Sequence, residues 1–127
     1  MWIKFNPNPC GRSSVGDCVI RAACAALNLD WESAFWMLAY SAYEMCDMPS
    51  GNAVLNAVMR QHGFNRASIP DYCPECYTAA DFCNDHPEGV YVLGFGYHVC
   101  AVINGNIYDS WDSSNEIPQY YFYRKDG

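Results

Sequence analysis

Small and apolar residues recur at helical spacing from Cys18 to Leu27, where Val19, Ala22, Ala23 and Ala26 mark a predicted helix that other elements can approach closely. Asn28 ends that run. Asp30 is placed to cap a second helix from Trp31 to about Cys46, whose apolar residues again follow the 3.6-residue period, and Pro49 stops it. Ser50 is expected to cap a third helix, about Gly51 to His62, closed by Gly63. Residues 67–77 read as a short extended segment and a proline-containing turn. Thr78 followed by Asp81 predicts a capped short helix ending at Pro87. Residues 1–17, broken by Pro7, Pro9, Gly11 and Gly16, read as an irregular but ordered loop anchored by Trp2 and Phe5.

After Gly89 the pattern changes to strands: Val90–Leu93, His98–Ile103, Asn106–Trp111 and Gln119–Arg124. Asn104-Gly105 is a two-residue hairpin signal. Helices first and strands second predict an α+β fold, with N-terminal helices packed on a C-terminal antiparallel sheet, in one domain spanning 1–127. With Asn104-Gly105 as the turn, Ile103 faces Asn106, Cys100 faces Asp109 and His98 faces Trp111. Side chains alternate along a strand, so His98, Cys100, Asp109 and Trp111 share one face. Asp109 is then the diagonal neighbour of His98. Asp112 falls on the opposite face.

Composition narrows the possibilities. Hydrophobic residues make up 51% of the 127 positions and charged residues 17%, a mixture that buries a core rather than remaining disordered. Fourteen acidic against seven basic residues give a net charge of −7, with no basic patch. Such a chain repels nucleic-acid backbones and anionic membranes, so neither is an expected partner. The segment Trp31–Met48 is interrupted by charges and is not a membrane span. The opening MWIKFNPNPC lacks a secretory pattern, so a cytoplasmic location is expected. The eight cysteines then read as reduced thiols rather than a disulfide framework, which long helices also argue against.

Cys18 is the candidate nucleophile. A cysteine in the first turn of a helix sits among free N–H groups and partial positive charge, which favour a thiolate. The same N–H groups can hold an oxyanion. His98 is the candidate base, and Asp109 the residue that orients its ring.

The order of these residues resembles the papain-like cysteine peptidases: a cysteine starting a helix, a histidine on a strand, and a polar residue on the next strand. The family's Asn-Ser-Trp is similar to Asp109-Ser110-Trp111 here. The resemblance covers nearly the whole chain, and extends to small papain-like proteins of bacteria and their phages. It implies a papain-like fold and a thiol hydrolase, either peptidase, isopeptidase or amidase. Its substrate would be a peptide or protein, it would need no cofactor, and Trp111 would shield the bond between His98 and Asp109. The chain departs from the family at the oxyanion glutamine, whose place is taken by Arg12. Asn6, Asn8, Ser13 or Ser14 are the available substitutes, with Asn8 preferred, acting alongside the N–H of Cys18.

Cys73 and Cys76 form a CxxC, followed by Cys83 and His86 three residues apart. Three thiols and an imidazole at this spacing are a candidate structural zinc set, set against the plainer reading of Cys83 as core and His86 as an exposed helix end. Two alternatives to the enzyme follow: a papain-like binding protein that has lost the chemistry, and a zinc-stabilised interaction protein. Cys24 and Cys46 read as core, and His62 as a helix-end residue.

Overall fold

The computed structural model describes residues 1–70 and 77–124. Among these the chain forms β1 (Trp2–Lys4), α1 (Cys18–Leu27), α2 (Trp31–Met45), α3 (Asn52–Gln61), β2 (Phe64–Ser68), α4 (Ala79–Asp85), β3 (Val90–Gly94), β4 (Val99–Ile103), β5 (Asn106–Asp109) and β6 (Tyr120–Arg124). The fold is α+β. Its six-stranded sheet runs β1-β5-β4-β3-β6-β2, with every neighbouring pair antiparallel except β1 and β5.

Local signals set most element ends. The Asp30 side chain accepts from Ser33 N–H at 2.8 Å to start α2. Thr78 and Asp81 form a reciprocal capping box at α4. Asn28 closes α1 in the left-handed conformation (φ 55°). Asn104 and Gly105, both at positive φ, turn the β4–β5 hairpin, so Ile103 pairs with Asn106 and Ala101 with Tyr108.

Helices and sheet enclose two apolar clusters. On one side α1 packs on β3, β4 and β5 and contacts α2, while α2 contacts α3. Ala22, Ala23, Leu38, Leu55 and Met59 meet Val92, Val99 and Phe122 there. The small residues of α1 let it lie close to the strands, as their pattern requires. On the other side Phe82 and Cys83 of α4 join Leu93, Cys100, Val102 and Ile107. No helix among the described residues is long and apolar enough to cross a membrane.

Four expectations need correction. The first residues are not wholly irregular: Trp2–Lys4 adds a parallel strand beside β5, so the sheet is mixed. A three-residue edge strand carries too few side chains to show a period. Extended structure starts earlier than residue 67: β2 runs Phe64–Ser68 and pairs with β6, while residues 71–76 of the expected 67–77 segment lie outside the described residues. The N-cap of α3 is Gly51 rather than Ser50, with no side-chain cap. His98 and Trp111 lie just outside the hairpin strands, which begin at Val99 and end at Asp109.

Gly94 marks a close approach. A Cβ there would stand 2.1 Å from the Tyr120 ring on the paired strand. Gly94→Ala is expected to displace Tyr120 and lower stability by about 1–3 kcal/mol, read as a shift in the urea midpoint. An unchanged midpoint would show that the ring has room to move.

Candidate active site

The start of β4 and the end of β5 lie at the same end of the sheet because the two strands are antiparallel. There they meet the N-terminus of α1. This juxtaposition brings Cys18, His98, Asp109 and Trp111 together from positions far apart in the chain. Cys18 is the first residue of α1 and half-buried. His98 follows the tight Phe95–Tyr97 segment, closed by the Phe95 N–H donating to the His98 carbonyl at 2.7 Å.

The His98 ring is fixed on three sides. Its Nε2 lies 2.7 Å from Asp109 Oδ2. Ionised Asp109 only accepts, so Nε2 carries a proton and Nδ1 is the nitrogen left for Cys18. Phe95 stacks on the ring with centroids 5.8 Å apart, and Trp111 covers it at 4.9 Å. Trp111 is itself 41% exposed, so it stands between the His98–Asp109 pair and solvent.

Asp109 is fully buried, and every stabilising contact to it is an accepted hydrogen bond. Oδ2 also accepts from Ser113 Oγ at 2.7 Å; Oδ1 accepts from Ser110 N–H at 2.8 Å and from Arg21 Nη2 at 3.2 Å. Its carbonyl accepts from the Phe5 N–H at 2.8 Å and from Trp2 Nε1 at 3.1 Å. The N-terminal segment thus anchors the backbone that carries the carboxylate. Arg21 is buried on α1 and bridges to a second carboxylate, Asp17, at 2.7 Å. The other Asp17 oxygen accepts from Trp31 Nε1 at 3.0 Å. Asp17 is the N-cap residue of α1, yet with its carboxylate so engaged it caps none of the helix's first N–H groups. Those groups remain available to an anion beside Cys18.

Electrostatics favour a thiolate–imidazolium pair. Burial opposes ionisation of Cys18, but the His98 ring, the Val99 N–H and the positive charges of His98 and Arg21 outweigh it and hold the thiol below its ordinary value. Burial likewise opposes the charged form of His98, and its contacts with Asp109 and Cys18 overcome this, raising it to about 9. Burial works against the Asp109 carboxylate too; the hydrogen bonds from His98 and Ser113 still keep it below the usual range. Cys100, on the shared face, is fully buried, and that burial pushes its thiol far up, so it packs beneath the site as an inert residue.

A cavity of about 330 Å³ opens over Cys18 and His98. Ser50, Asn52, Tyr97 and Tyr120 line it, none of which the sequence pattern singled out as a site residue. Asn8 is not among the lining residues. Its Oδ1 instead accepts from the Cys10 N–H at 2.9 Å in a local turn, which corrects its expected place in the oxyanion site. Arg12 is exposed. Arg21 was legible in one respect: a lone charge inside a small-residue helix, four residues after Asp17, must find partners if the helix is buried.

Of the candidate zinc set, Cys73 and Cys76 lie outside the described residues. Cys83 is buried in the α4 cluster. His86 stacks on Phe82 with centroids 3.9 Å apart and bonds its carbonyl through Nδ1 at 2.9 Å. Among the described residues no group of three or more His, Cys, Asp or Glu gathers around a metal-sized site. The six described cysteines are free thiols. Cys46, expected in the core, is exposed at the C-cap of α2. Compared with protein-family models, with curated proteins and with solved structures, the chain matches none.

Proposed function

We propose that the chain is a papain-like, cysteine-dependent hydrolase of amide bonds in a peptide or protein substrate. The observation that carries this reading is the buried Asp109 carboxylate holding His98 Nε2 at 2.7 Å, beside a half-buried cysteine at an uncapped helix start.

The Cys18 thiolate attacks the carbonyl carbon, and the carbonyl π pair moves onto oxygen. The N–H groups opening α1 hold that oxyanion. Imidazolium Nδ1–H gives its proton to the leaving nitrogen as the C–N bond breaks, leaving a thioester on Cys18. Neutral His98 then takes a proton from water as the hydroxide equivalent attacks the thioester. Release of the acid restores the thiolate–imidazolium pair. Asp109 keeps the ring in one tautomer throughout, and side chains with water supply all the chemistry.

Incubation with a mixed peptide library, read by mass spectrometry, is expected to yield cleavage products that Cys18→Ala abolishes. Products that persist in Cys18→Ala would sink the assignment. The exposed Arg12, at the place of the family's glutamine, favours one second reading: a binding protein that keeps the reactive thiol without turnover. Selective alkylation of Cys18 with no cleavage of any peptide is its signature.

The pH dependence follows from the shifts. The thiolate is present above the lowered Cys18 value, and the imidazolium that protonates the leaving group is lost as pH rises through about 9. Cleavage should therefore be sustained well below pH 8 and fall on an alkaline limb near 9. An activity that keeps rising through pH 10 would mean that His98 acts only as a neutral base.

A further inference from the structure

A second cavity, of about 210 Å³, adjoins the first on the helical side of Cys18. Gly16, Val19 and Ser50 belong to the walls of both, so the two are neighbours across these residues. Beyond that shared rim the second cavity is walled by Val15, Ile20, Trp31, Phe35 and Pro49. Trp31 and Phe35 stack with centroids 5.1 Å apart and stay half-buried, leaving apolar ring surface in contact with water. The carboxylate on this wall, Asp17, is taken up by Arg21 and Trp31. Nothing in the pocket offers charge to a ligand, and its apolar surface gains by being covered.

Direction in the cleft follows from the proton transfer. The leaving nitrogen must reach His98, so the acyl half of the substrate extends the other way, toward Gly16. We infer that this pocket seats the side chain of the residue whose carbonyl Cys18 attacks, and that the chain selects a large apolar residue there, of leucine or phenylalanine type. The inference rests on the hydrolase reading and adds the substrate class to it.

The test uses N-acetyl dipeptide vinyl sulfones in which the residue whose Cα bears the vinyl group is Gly, Leu, Phe or Asp. Cys18 sulfur adds to the vinyl carbon bonded to that residue's Cα, and the vinyl π pair moves to the carbon beside the sulfone. That carbon takes the proton from the His98 imidazolium. Labelling of Cys18, measured as a second-order rate by mass spectrometry, is expected to be on the order of tenfold or more faster for Leu and Phe than for Gly or Asp. Val15→Asp, which puts a carboxylate on the pocket wall, is expected to bring the Leu and Phe rates down to that of Gly. Iodoacetamide, which needs no pocket, is run beside each sample. Fast iodoacetamide labelling of Cys18 with a flat vinyl sulfone series overturns the pocket and leaves the thiolate standing. A Leu and Phe preference that survives Val15→Asp also overturns it. Slow iodoacetamide labelling of Cys18 in the wild type removes the hydrolase reading, and the pocket assignment with it.

Discussion

At pH 6, iodoacetamide is expected to alkylate Cys18 about tenfold or more faster than the exposed Cys10 and Cys46, and His98→Ala is expected to erase that advantage. An ordinary cysteine is less than about 1% thiolate at this pH. Cys18 gains thiolate from the His98 ring, the Val99 N–H and the start of α1. Its lowered basicity gives back part of the gain, because nucleophilicity falls with pKa. The buried Cys24, Cys83 and Cys100 are shifted the opposite way, chiefly by burial, and stay silent. Removing the imidazole leaves Cys18 half-buried with the desolvation penalty and without its main counter-charge. Site-resolved mass spectrometry of the alkylated protein reads both results. Equal rates at Cys18, Cys10 and Cys46 in the wild type would show that the pair does not form.

Asp109→Ala is expected to lower stability by about 3–5 kcal/mol and to slow Cys18 alkylation to the level of His98→Ala. The carboxylate is the shared acceptor of two buried cations; deleting it strands the His98 imidazolium and leaves Arg21 with Asp17 alone. Asp109→Asn is not expected to rescue. Each carboxylate oxygen accepts from two donors, Arg21 and Ser110 N–H on one, His98 and Ser113 on the other. An amide in either orientation points its NH₂ at donors. Arg21 on α1 bridges Asp17 and Asp109, and an amide at 109 would leave that guanidinium with one carboxylate in place of two. Chemical denaturation and alkylation of both variants check the prediction. An Asp109→Asn protein with wild-type stability and reactivity would mean that neither Arg21 nor His98 depends on the Asp109 charge.

Asn104-Gly105 fixes the hairpin register, and a side-chain period of two then puts Cys100 and Asp109 on one face, with His98 one residue beyond the strand. The small-residue run after Cys18 likewise defined a helix and its first turn. The residues that support Asp109 were harder to read. Trp2 and Phe5 stand more than a hundred positions away and reach the Asp109 carbonyl through an indole N–H and a backbone N–H, at the start of and just after a three-residue strand. Phe95 sits in a loop with no period, and Ser113 in a segment outside any element. Ser50 and Asn52 reach the cleft only because α3 packs on α2, a contact with no sequence signature.

Local chemistry in the sequence therefore determined the helices, the hairpin and its register, and which side chains lie on one face of it. Tertiary structure alone decided that the hairpin end meets the start of α1, that Arg21 links two buried carboxylates, and that an apolar pocket opens beside the thiol. The difference is physical. Periodicity, capping and turn preference act within a few residues, whereas the distance between a sulfur and an imidazole depends on how whole faces pack. That packing sums many weak, non-directional contacts which leave no local pattern to read.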